Sequence, residues 1–234
     1  ENSPASQRSG GNGKNHFPFL FGLENGMFPD VFSDDVLRIE TPRLWLRWPR
    51  ASDAKAIAAL AAEPEVAKLT SRVPHPFPPG AAAEFILTSR SENARASSLT
   101  LVLAPKRNGA EPIGCITLRP RGEGIFSLGF WLGKPHWGRG LMTEAVRELI
   151  DLAFRTTDVQ EMQTYVLFGN HSARRILERC GFELSGQKVA SRPARSDPAE
   201  VQSFSLTREV WLSRGFMRPQ PQPVQSADAG LALR

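Results

Sequence analysis

The residues best suited to chemistry lie between Gly133 and Thr143, in the run GKPHWGRGLMT. There an apolar segment leads through Gly133 and Pro135 into Trp137-Gly138-Arg139-Gly140, and apolar residues at helical spacing begin at once. A Gly-x-Gly turn that opens a helix leaves several backbone N–H groups unpaired and aimed at one point, and the positive end of the helix dipole adds to their field. Glycines at 138 and 140 let the backbone come close to a ligand. This is the chemistry of phosphate binding, and Arg139 can add a charge-assisted hydrogen bond. Two glycines before a helix also suit a plain tight turn, so the surroundings decide between the two readings.

Few other groups are placed for reactivity. Asn170 precedes the amphipathic stretch HSARRILERC, where its side-chain oxygen can cap a helix while its amide donates to a ligand. His75, among four prolines, and His171, beside Asn170, have an ordinary pKa suited to moving protons near neutrality, and each also reads as a surface histidine. Glu144, in the helix after the glycines, reads as a structural contact, and Tyr165, the only tyrosine, as a core residue. Cys115 and Cys180 sit on apolar patterns with neither Cys-x-x-Cys spacing nor a histidine close by, which marks them as buried thiols rather than zinc ligands or nucleophiles. No metal site is expected.

These groups need elements to hold them, and 234 residues with 41% hydrophobic content suffice for one core. Period-two alternation at Leu44, Leu46 and Trp48 predicts a strand over 43–49. A helix capped by Ser52 or Asp53 follows to Ala62, then a loop at 71–80, SRVPHPFPPG, and a helix over 81–91. Three strands, Leu99 to Ala104, Ile113 to Arg119 and Ile125 to Leu132, form an antiparallel meander. A helix from Gly140 to Arg155 and a strand from Met162 to Phe168 then imply a parallel crossover. A helix from His171 ends near Gly181, and two strands, Phe182 to Val189 and Val201 to Trp211, close the sheet. Residues 1–36 read as a flexible leader and 215–234, with RPQPQPVQ, as a flexible tail, leaving 37–214 as the folded domain.

Composition narrows the classes. The chain's net charge of +5 comes from residues 37–214, where 25 Lys and Arg stand against 18 Asp and Glu while the flanking tails are net acidic, but as scattered single arginines without a basic run or aromatic ladder, so a nucleic-acid surface is not expected and a polyanionic small ligand suits it. No apolar run approaches the ~20 residues of a membrane span, and no secretory signal is visible. The cytoplasm is the expected compartment. The chain begins at Glu1 rather than methionine, which leaves the native start open.

The segments RIETPRLWLR, PHPF, GFWLGKPHWGRGLMTEA, the Asn170-led helix ending ERCGFE, and FSLTREVW occur in order and together resemble the GNAT superfamily of N-acetyltransferases, in its RimJ/RimL-like branch. The resemblance spans about 37–214. It implies an α+β (α/β/α) GNAT fold, in which a mixed, mostly antiparallel sheet has a splayed parallel strand pair and helices on both faces. It implies acetyl-CoA as cosubstrate, with the pantetheine bonded through the backbone at Trp131 and Leu132, the pyrophosphate on Trp137, Gly138, Arg139, Gly140, Leu141 and Met142, with Thr143 following, and Asn170 reaching the pantetheine arm. Met142 stands where a small residue is more common, and a bulky side chain there bears on how the cofactor lies.

The proton-transfer groups depart from the family pattern. A serine that protonates the departing thiolate is common three residues after the asparagine; Ala173 holds that place, and Ser172 lies one residue and ~100° of helix away. A glutamate is common two residues before the central-strand glycine, and Ser127 stands there. Ser172, Ser127 and His75 are therefore the catalytic candidates, with His171 as a further base. The reaction implied is direct attack of an amine on the thioester, with a backbone N–H stabilising the oxyanion. The acceptor is expected to be a protein N-terminus or a small amine, entering between loop 71–80 and the final hairpin, and the protein to be a monomer or homodimer. An aminoglycoside acetyltransferase and a catalytically impaired acyl-CoA-binding protein are the alternatives.

Overall fold

The computed structural model describes residues 37–107, 111–194 and 197–215. The leader, the tail beyond 215 and Arg195 lie outside them. The elements are β1 (Arg38–Glu40), β2 (Leu44–Arg47), α1 (Ala54–Ala61), α2 (Pro64–Lys68), α3 (Ala81–Ala94), β3 (Leu99–Pro105), β4 (Gly114–Gly122), β5 (Ile125–Leu132), α4 (Leu141–Thr156), β6 (Glu161–Leu167), α5 (His171–Arg179), β7 (Glu183–Ala190), β8 (Ala199–Thr207) and α6 (Arg208–Ser213).

The eight strands form one sheet in the order β1-β2-β3-β4-β5-β6-β8-β7. All pairs are antiparallel except β5 with β6. That pair bonds only from Ile125/Glu161 to Ser127/Gln163, although both strands continue, so they splay apart beyond Ser127. Helices cover both faces because the strands alternate. Leu101, Leu103, Ile116 and Leu118 turn to one side and pack with Ala145, Val146 and Leu149 of α4 and Leu177 of α5. Val102 and Cys115 turn to the other and pack with Ile57 of α1 and Ile86 of α3.

Several expectations need correction. The closing strand stops at Thr207 rather than Trp211: the Thr207 hydroxyl accepts from the Val210 N–H at 3.2 Å and starts α6, and buried Trp211 stacks on Phe154 at 5.2 Å between ring centroids. Asp53 precedes α1 but makes no side-chain cap, because its carboxylate binds buried Arg47 twice at 2.8 Å and the Arg50 N–H at 2.7 Å. The short helix α2, led by Pro64, escaped the reading because five residues carry no periodicity. Tyr165 is 45% exposed, not core, since Met162, Thr164 and Val166 take the inward positions of β6.

Candidate functional site

Two cavities flank the splay. The first, of about 360 Å³, is lined by β5 residues Phe130, Trp131 and Leu132, by Trp137, Gly138 and Gly140, by Leu141, Met142 and Thr143 of α4, and by Asn170, Ser172, Ala173, Arg175 and Arg179 at α5. Gly138 and Gly140 are left-handed, with φ of +74° and +71°, a region that costs a side-chain-bearing residue about 1–2 kcal/mol. Gly140 is the N-cap of α4 and provides no side-chain cap, so the first-turn N–H groups of Leu141, Met142 and Thr143 have no intrahelical acceptor. A Cβ on Gly138 would meet nothing within 4 Å, so the open space lies directly against backbone.

The turn is anchored from three sides. The Trp137 indole N–H donates to the Leu132 carbonyl at 2.6 Å, tying the turn to the end of β5. Arg43, just before β2, donates from Nη1 to the Arg139 carbonyl at 2.8 Å and from Nε to Glu144 at 2.6 Å. Although burial opposes it, hydrogen bonds from Thr41 and Arg43 hold the Glu144 carboxyl below its ordinary pKa. The structural part read for Glu144 is the one it plays. His136 lines the same cleft, and partial burial followed by the charge of Arg139 lowers its pKa, which keeps the imidazole neutral near pH 7.

The splay leaves one edge of β5 free. The Gly133 N–H donates to the Ile113 carbonyl at 2.9 Å, and the Trp131 carbonyl lies against Gly114, so odd-numbered residues of β5 turn their backbone groups to β4. By alternation the N–H and C=O of Phe130 and Leu132 face the gap. Trp131 therefore lines the cleft through its side chain, while the backbone groups left free at the gap are those of Phe130 and Leu132.

The second cavity, of about 910 Å³, lies across the splay and shares Leu69, Thr70, Phe130, Trp131, Asn170 and Ala173 with the first. Ser127, Gly129, Tyr165, Phe77 and Phe85 line it, with Ser71 to Pro74 of the Pro-rich loop and Ser191 to Pro193 after β7. The Pro-rich loop and the hairpin after β7 thus border one cavity. Lys188 stacks over the Tyr165 ring at 4.0 Å.

The structure separates the candidates. Ser172 lies on the first cavity and Ser127 on the second. His75 and His171 are exposed and line neither, so neither histidine is brought to the reacting region. The Arg139 side chain is also outside both linings; its carbonyl serves Arg43. Met142 is 3% exposed and packs in the core while also lining the first cavity. Asn170 caps α5 through the Ala173 N–H at 3.1 Å and donates to the Leu69 carbonyl at 3.3 Å. Cys115 and Cys180 are buried, and burial pushes both thiols well above their ordinary pKa, which leaves no thiolate nucleophile.

The sequence reading missed several lining residues. Arg175 and Arg179 stand one helical turn apart, a spacing legible once α5 is drawn. Arg119 and Arg121 alternate on β4, a period-two signal. Glu84, Glu92 and Arg72 reach the second cavity by tertiary packing alone. Among the described residues no cluster of His, Cys, Asp or Glu could hold a metal, and no helix is long and apolar enough to cross a membrane.

The profile of the Acetyltransferase (GNAT) domain matches residues 43–183. The chain is 26% identical over 175 residues to the uncharacterized N-acetyltransferase p20 of Bacillus licheniformis, a match covering 73% of this chain and 96% of that protein. RimL, the ribosomal L7/L12 alpha-N-protein acetyltransferase solved in complex with coenzyme A, superposes with a TM-score of 0.64 at 16% identity, over 73% of this chain and 98% of that one. Ribosomal-protein-S5-alanine acetyltransferase from Vibrio fischeri gives a TM-score of 0.64 at 19% identity, over 75% and 98% respectively.

Proposed function

Because the chain belongs to the GNAT acetyltransferase family, we propose that residues 37–214 transfer the acetyl group of acetyl-CoA to a primary amine, on a protein N-terminus or a small molecule, by direct attack. The observation that carries this reading is the pair of cavities meeting at the splay between β5 and β6, one walled by a phosphate cradle and the other open to an acceptor. The N–H groups from Gly138 to Thr143 receive the pyrophosphate, and Arg175 and Arg179 supply positive charge beside it. The pantetheine amides complete the free edge of β5 at Phe130 and Leu132, as an added strand would.

The amine approaches from the second cavity as the neutral base. Its nitrogen attacks the thioester carbonyl, a β5 N–H stabilises the oxyanion, and the C–S bond breaks to release CoA. Ser172, on the cofactor side, donates a proton to the departing sulfur, and Asn170 orients the arm. Ser127, a hydroxyl, relays the amine proton to water rather than holding it. His75, which lines neither cavity, has no part in this scheme.

The test is amine-dependent release of CoA thiol across a panel of N-terminal peptides, small amines and aminoglycosides. Release that requires an amine and leaves it acetylated supports the reading. Acetyl-CoA binding without transfer to any amine overturns it.

A further inference from the structure

The second cavity holds an uneven distribution of charge that the transfer reaction does not require. Cys115, Thr117, Arg119 and Arg121 follow at alternating positions of β4, all on the face turned to the cavity, while Ile116 and Leu118 turn to the core. The register of β4 against β5 slips between Pro120 and Gly122, so Arg121 sits at a bulge, a feature that re-aims a side chain. Arg72 joins them from the Pro-rich loop, and Lys188 and Arg192 stand on the far wall. Against these five cations the lining has two carboxylates, Glu84 and Glu92.

The cations are unequally neutralised. Glu92 accepts from Ser98 at 2.7 Å and lies 3.6 Å from Arg119, and Arg192 pairs with Asp197. Arg72 and Arg121 have no hydrogen bond or ion pair among the described residues. Partial burial, followed by the charges of Arg119 and Arg121 and only partly opposed by Glu92, lowers the pKa of Arg72, as expected for like charges that outnumber their counter-ion. Such a group is stabilised by any oxyanion that enters.

Resting on the acetyltransferase reading above, we infer that the acceptor carries an oxyanion, carboxylate or phosphate, close to its reactive amine, and that Arg72, Arg119 and Arg121 bind it. The amine then points past Gly129 and Ser127 to the splay, while the anion stays at the outer end of β4. Gly129 leaves that passage open, since a Cβ there would meet nothing within 4 Å. A polycationic acceptor is repelled by the same group.

The test uses two matched pairs of acceptors with the full chain: phosphoethanolamine against ethanolamine, and the amidated peptide Ser-Glu-Ala against Ser-Gln-Ala. The first pair reports a small phosphate-bearing amine and the second an acidic protein N-terminus. In at least one pair the anionic member should have the higher kcat/KM by about tenfold or more, the size of one charge-assisted hydrogen bond. That ratio should shrink with added salt and fall to within about threefold in Arg72→Gln and Arg121→Gln, while acetyl-CoA affinity, measured by calorimetry, shows that the variants are folded. A neutral member that equals or exceeds its partner in both pairs overturns the inference, as does a ratio unchanged in both variants. Turnover of none of the four with acetyl-CoA binding intact also overturns it. Failure to bind acetyl-CoA at all would instead overturn the reading on which the inference rests.

Discussion

Gly140 combines two requirements that no other residue type meets together. Its φ of +71° makes the turn into α4, and in the function proposed above its bare Cα lets a phosphate reach the N–H groups behind it. A Cβ there would lie 3.6 Å from Arg43 Nη2, so the protein has room for a side chain although the ligand does not. Gly140→Val should therefore lower stability by about 1–2 kcal/mol through its left-handed backbone and lose about tenfold or more in acetyl-CoA affinity, read by calorimetry; an unchanged affinity would remove the pyrophosphate from this turn. The glycines and the cap at Asn170 were legible in the sequence because both rest on local geometry. Arg43 was not, because its role depends on β2 lying beside the start of α4, a contact between residues about a hundred positions apart.

At the scale of elements, the splay rests on β5 being held from one side only. Gly114 on β4 permits that hold. A Cβ at this position would come within 2.4 Å of the Trp131 carbonyl and 2.9 Å of the Leu132 Cα, both backbone atoms that cannot rotate away. Gly114→Ala should push the end of β5 outward, lowering stability by about 1–3 kcal/mol in urea denaturation and weakening acetyl-CoA binding together. An effect on stability with affinity untouched would show that the end of β5 does not carry the cofactor. Strand and helix order came through in the sequence because periodicity is a local property, as in β5 and α4. The divergence of β5 from β6 was only implied by resemblance, and the early end of β8 was hidden because Val210 and Trp211 continue an apolar pattern that the Thr207 cap turns into a helix.

Taken whole, the molecule places a cleft walled by a glycine turn and a cation-lined cavity on opposite sides of one sheet discontinuity, and the two meet at Phe130, Trp131 and Asn170. The turn that walls the first cavity was legible in the sequence, since left-handed backbone leaves glycines as its mark. The second cavity was not, because its lining is gathered from loop 71–80, α3, β4, β6 and the turn after β7, which share no motif. The central claim, that acetyl-CoA lies across this discontinuity, is tested most directly by a crystal structure of the protein with acetyl-CoA. We expect the pyrophosphate within hydrogen-bonding distance of the N–H groups between Gly138 and Thr143, and the pantetheine between β5 and β6 against Phe130 and Leu132. A cofactor bound elsewhere, with that gap vacant, would contradict the account.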